Sequence, residues 1–140
     1  MRGLRRAVVA VLLGGLVGAV PDFARFLQCL SHGGSLAGTR LIGRQTLALM
    51  TADHLGGRPV LGDVLPAGHG FGLGFAVRRE AGLAPLPGSK GLYYWGGIAG
   101  TAFFVDPVLD LFAVLMIQAP VQRHRYRALF RHLVYAAVDA

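Results

Sequence analysis

Three apolar segments follow one another between residues 92 and 118, and the stretches joining them are too short for anything but a reversal of the chain. Residues 92–95 lead into Gly96-Gly97, residues 101–105 leave that turn, and residues 111–118 follow after a connection at 106–110. Parallel strands need a crossover of a dozen or more residues, so these three must pair antiparallel. Ahead of them, residues 71–79 alternate: Phe71, Leu73, Phe75 and Val77 face one way, and Gly72, Gly74, Ala76 and Arg78 the other. That is the period of one half-buried strand. Residues 111–118 are apolar on both faces, the pattern of a strand covered on both sides. Within this region the run YYWGGIAGTAFFVDP, residues 93–107, sets aromatics directly against glycines. Glycine in a strand marks a bulge or a close approach of backbone to another group. The run is therefore expected to present its edge to a ligand cleft.

The flanks read as helices. Phe23, Phe26, Leu27 and Leu30 recur at helical spacing, with Asp22 and Arg25 on the opposite side. Pro21 suits a first turn, Asp22 complements the positive helix N-terminus, and Gly33-Gly34 stops the helix. The position expected to cap it is held by Gly18, without the Ser or Thr oxygen that caps best. A second helix is predicted over residues 44–51 with Leu47 and Met50 inward, followed by a Pro/Gly-rich loop through Gly70. The last helix is predicted over residues 121–138. Its apolar stripe would be Tyr126, Leu129, Phe130, Leu133, Val134 and Ala137, with Arg123, Arg127 and Arg131 on a solvated face. The fold class is α+β: an antiparallel sheet flanked by helices.

At 140 residues the chain supports one domain with a real core. Its 21 glycines and seven prolines argue against a helical bundle. The net charge of +7 permits anionic partners, but the four arginines between residues 123 and 131 read first as a wet helix face. Nucleic acid is disfavoured because no interleaving of aromatic and basic residues extends beyond that helix. A single cysteine, Cys29, excludes an internal disulfide and reads as a buried small apolar residue rather than a nucleophile. His32, His54, His69, His124 and His132 have no metal-ligand spacing, so neither a metal nor another cofactor is expected. His54 and His69 are read as ordinary loop histidines. The segment GHGFGLGF lacks a strand before and a helix after its glycines, which rules out a phosphate loop.

The first twenty residues admit two readings. Arg2, Arg5 and Arg6 followed by an apolar run have the form of an export signal, and the run is short for a membrane span of about 20 residues. The alternative is an interior glycine-rich approach to the first helix.

Four phrases, in order, resemble the C-terminal part of the serine β-lactamase-like hydrolases: class C β-lactamases, penicillin-binding DD-peptidases and family VIII esterases. They are GGLVGAVPDFARFLQCL (residues 14–30), LALMTADHLG (47–56), GFGLGFAV (70–77) and WGGIAGTAFFVDP with LFAVLMIQ (95–118). The resemblance implies part of an αβα sandwich over residues 14–140, with residues 1–13 a leader without a counterpart. It favours the interior reading of residues 14–20 and a cytoplasmic chain, with export or membrane anchoring if residues 1–20 act as a signal.

In that family three motifs meet in one cleft: Ser-x-x-Lys, Tyr-x-Asn or Ser-x-Asn, and Lys-Thr-Gly or a relative on the strand lining the cleft. Trp95-Gly96-Gly97 occupies the place of the third. The resemblance makes the Ile98 N–H one oxyanion donor, and loss of the lysine cation leans towards esters. The other two motifs cannot exist here, since the sequence has no Asn and its single lysine, Lys90, follows Pro87 by three. No catalytic residue is therefore expected in this chain; its site residues are Trp95, Gly96, Gly97 and Ile98.

Three functions compete. The first is a truncated or split serine hydrolase, inactive alone, whose partner is its missing N-terminal portion, or a second copy paired along an open sheet edge at residues 111–118. The second is a non-catalytic module binding an ester, an amide or a protein partner. The third is a small basic protein held at a membrane by residues 1–20.

Overall fold

The computed structural model describes residues 10–12, 16–58 and 64–138. The signal-like stretch lies partly outside them. Its described pieces, β1 (Ala10–Leu12) and β2 (Leu16–Gly18), pair antiparallel. Among the described residues no helix is long and apolar enough to cross a membrane.

Helix α1 (Val20–Ser31) starts as its composition requires, with Pro21 in the first turn and Asp22 beside the N-terminus. The N-cap is Ala19 rather than Gly18; it is extended and gives no side-chain hydrogen bond. A two-rung hairpin, β3 (Ser35–Leu36) with β4 (Thr39–Arg40), leads to α2 (Arg44–Met50), where Leu47 is buried as predicted. The main sheet is a five-stranded antiparallel meander in the order β5 (His69–Phe71), β6 (Ala76–Arg78), β7 (Tyr93–Gly96), β8 (Ala102–Asp106) and β9 (Leu111–Leu115). Helix α3 (Arg123–Val138) follows.

Strand alternation divides the core in two. On one face, Tyr93, Phe103 and Val105 pack with Leu27 and Leu30 of α1 and Leu47 of α2. On the other, Phe104 and Leu92 pack with Tyr135 of α3, beside Phe130 and Val134. The result is three layers, helix over sheet over helix, in agreement with the α+β reading. Pairing Trp95 with Phe103 and Gly96 with Ala102 places the end of β7 at one end of the sheet.

Residues 71–79 are not one strand. β5 and β6 form a hairpin whose turn, residues 72–75, rests on the C-terminal end of α2, and Leu73 is 50% exposed instead of inward. The cause is a set of backbone bonds stronger in sum than the alternation. Leu73 N–H donates to the Met50 carbonyl (2.8 Å), His54 N–H to that of Phe71 (2.9 Å), and Gly72 N–H to that of Phe75 (2.8 Å). A Cβ at Gly70 would overlap the Asp53 carboxylate, and one at Gly72 the Met50 carbonyl. Gly72 admits the neighbouring backbone and Gly70 the Asp53 side chain.

The expected inward stripe of α3 also needs correction. Leu129 is exposed and Leu133 is 60% exposed, while Arg131 is 4% exposed and Arg127 half-buried. The helix is rotated so that Arg127, Phe130, Arg131, Val134 and Tyr135 face the sheet. Both stripes share Phe130 and Val134; the aromatic pair of Phe130 and Tyr135 with Phe104 selects the second. Strand β9 is half-buried along its length and pairs only with β8 among the described residues, so it is an edge and not an interior strand.

Candidate functional site

The end of β7 turns sharply because its backbone groups are satisfied locally. Gly97 N–H donates to the Thr101 carbonyl (2.9 Å) and to Thr101 Oγ1 (3.2 Å), and Gly100 N–H donates to the Gly97 carbonyl (3.0 Å). Thr101 is itself buried. Ile98 stands at the tip, 66% exposed, and among the described residues its N–H has no acceptor. Trp95 is clamped edge-to-face by Phe71, with ring centroids 5.0 Å apart.

The four predicted residues come together, but they border two recesses on opposite faces of the sheet. On the α1 face a small recess of about 150 Å³ lies among Phe23, Phe26, Gly74, Trp95 and Phe103, with Gly96 and Gly97 at its rim. On the α3 face a larger cavity of about 830 Å³ takes in the same glycines and Ile98. Leu65, Pro66, Leu86 and Phe130 supply apolar walls, and Arg123, Arg127 and Arg131 project from α3.

Arg127 ties the turn down. Its Nη2 donates to the carbonyls of Gly97 and Thr101 (3.1 Å to the latter), which are 30 and 26 residues away in sequence. Gly96 is required for this contact: a Cβ there would lie 2.6 Å from the Arg127 guanidinium carbon and 2.8 Å from the Thr101 carbonyl oxygen. Burial lowers the pKa of Arg127, with the Arg123 charge acting the same way. An arginine remains charged even so.

A second polar cluster fixes the opposite end of β8. Asp106 is fully buried and accepts from Ser89 N–H (2.9 Å), Val108 N–H (3.2 Å) and the Tyr135 hydroxyl. Burial alone would raise its pKa, but the Tyr135 and Ser89 bonds outweigh that and hold the carboxyl below its ordinary value. Burial and the same bond push the Tyr135 hydroxyl up. Arg78, also buried, donates to the carbonyls of Leu86 and Ala81 (3.0 Å to the latter) and so anchors the 81–86 excursion. His69 keeps a structural place: its Nδ1 lies 2.9 Å from the Ala67 carbonyl, its ring meets Tyr94 edge-on, and burial lowers its pKa. No cluster of His, Cys, Asp and Glu among the described residues is arranged to hold a metal ion.

Sequence reasoning missed Arg78, Arg127 and Arg131 because charge alone placed them in solvent. The signal that finds the two in α3 is spacing: Arg127, Arg131 and Tyr135 recur every four residues on one helix face with Phe130 and Val134.

The helix-flanked antiparallel meander is shared with serine β-lactamase-like hydrolases of known structure. A family profile described as Beta-lactamase matches residues 4–136, and the chain belongs to that family. EstCE1, "a hydrolase with promiscuous acyltransferase activity", is 30% identical with a TM-score of 0.73, over 85% of this chain and 30% of its own. A beta-lactamase (Mb2281c) from Mycobacterium bovis has the same fold at TM-score 0.69 and 23% identity, over 94% of this chain and 51% of that one. Protein Rv1367c of Mycobacterium tuberculosis is 34% identical over 112 residues, 75% of this chain but 28% of that protein. The chain thus spans less than a third of the length of EstCE1 and of Rv1367c.

Proposed function

We propose that this chain carries the substrate-edge wall of a serine hydrolase acting on esters or amides, with nucleophile and base supplied from outside these 140 residues. The observation that carries this reading is the Ile98 N–H. Among the described residues it stands unpaired at an exposed turn bordering the larger cavity, while the Gly97 N–H and carbonyl are already committed. A fixed, unpaired N–H at the end of a strand is what a developing oxyanion requires. At Gly97 no side chain stands in the way of an approaching carbonyl. Family membership and the hydrolase activity of EstCE1 support the reaction class. Trp95 replaces a cation that would pair with a substrate carboxylate, which favours neutral esters.

Alone, the chain should hydrolyse p-nitrophenyl esters no faster than buffer. A rate above background that is abolished by a substitution within these residues overturns the reading. A second reading, a binding module without catalysis, is favoured by the recesses flanking the glycine pair. It predicts saturable binding of an acyl phosphonate that is lost in Gly97→Val.

A further inference from the structure

The cavity under α3 is lined by a buried charge that forms no ion pair among the described residues. Arg131 is 4% exposed, and its Nε and Nη2 have no hydrogen-bond partner among the described residues. Its guanidinium lies 4.9 Å from the Tyr94 ring centroid and 5.4 Å from that of Phe104, contacts that orient the group but leave its donors unused. The nearby carboxylate, Asp106, already accepts from Ser89, Val108 and Tyr135. Arg123 and Arg127 line the same cavity, the Nε of Arg127 is likewise unpartnered, and no acidic side chain lines it among the described residues. Burying an uncompensated guanidinium costs several kcal/mol. An anion that enters and pairs with it recovers part of that cost.

Geometry narrows the ligand. Nε and Nη2 form the side-on fork of a guanidinium, which matches the two oxygens of a carboxylate in parallel hydrogen bonds. The remaining walls are apolar, and a volume of about 830 Å³ falls within the usual range for a small-molecule site. We infer that this cavity binds an amphiphilic monocarboxylate, with its head on Arg131 and its alkyl chain along Leu65, Pro66, Leu86 and Phe130. The cavity shares Gly96, Gly97 and Ile98 with the oxyanion edge, but the head group is held by Arg131 of α3 and no bond is cleaved, so failure of carboxylate binding leaves the hydrolase reading intact.

The test uses octanoate, the neutral isostere octanamide and the bare head group acetate, titrated into the chain below micellar concentrations. Calorimetry and the fluorescence of Trp95, the single tryptophan, report binding. Octanoate should saturate, at least tenfold tighter than octanamide and far tighter than acetate. Arg131→Gln should remove the preference for octanoate over octanamide while retaining the native circular dichroism. Equal affinity for octanoate and octanamide, no saturation with octanoate, or acetate binding as well as octanoate would each overturn the proposal. Those comparisons need only the unaltered chain, so a variant that fails to fold does not rescue it.

Discussion

Asp106 shows how much one side chain can hold. Its carboxylate joins β8 to the loop at Ser89 and to α3 through Tyr135, and it is fully buried at the end of a strand. The folded pKa lies below the ordinary 3.8, so the ionised carboxylate contributes stability in full above that value. The contribution is lost as pH falls through the lower folded value. Asp106→Asn should therefore cost about 1–3 kcal/mol at neutral pH. The gap between variant and parent should begin to narrow below about pH 4, as read from urea midpoints across a pH series; a gap constant down to pH 2 contradicts the assignment. In sequence, Asp106-Pro107 reads only as the end of an apolar run, since two of the three donors, Ser89 and Tyr135, come from elsewhere. Trp95, Gly96 and Gly97 were legible because glycine beside aromatics in a strand has few purposes. That Gly96 serves Arg127 was not, because the arginine arrives from another element.

Among the elements, α3 departs most from its sequence pattern. An amphipathic stripe assumes that charge seeks water, yet an arginine has a long apolar stem, and its head can donate to strand-end carbonyls in place of water. Two such carbonyls, of Gly97 and Thr101, are offered where β7 turns into β8. Arg127→Met keeps the stem and removes the donors. It should cost about 1–2 kcal/mol, the lower part of the range for charged hydrogen bonds because the group is half-exposed. It should also speed amide hydrogen exchange at Gly97 and Gly100. Unchanged exchange at both would show that α3 does not hold the turn. By contrast, α1, α2 and the pairings of β7, β8 and β9 followed from period and connection length, because each is decided within its own segment. The hairpin at residues 72–75 escaped for the opposite reason: its register is set by Met50 and His54, which lie outside it.

Over the whole molecule, the three layers are complete on both faces but not along the rim. β9 leaves one line of backbone groups without a strand beside it among the described residues, and such edges pair with other chains. Leu129 and Leu133 add exposed apolar surface on α3. Self-association is the expected outcome for the chain alone: light scattering should show apparent mass rising with concentration. A monomer at every concentration would mean that the edge is protected. Because the chain spans 28% of Rv1367c, the natural occupant of that edge is proposed to be further hydrolase polypeptide rather than a second copy.

The bond from Arg127 to the Gly97 carbonyl also bears on the order of events during synthesis. Chains fold from their N-terminus as they are made. The glycine turn leaves the ribosome 30 residues ahead of the arginine that secures it. Until then β7 and β8 can pair, but their connecting loop is held only by its own backbone. A stop codon before Arg127 would thus spare the strand order and remove the shape of the cleft wall. Of the elements described, α3 is the last piece of this cleft wall to arrive.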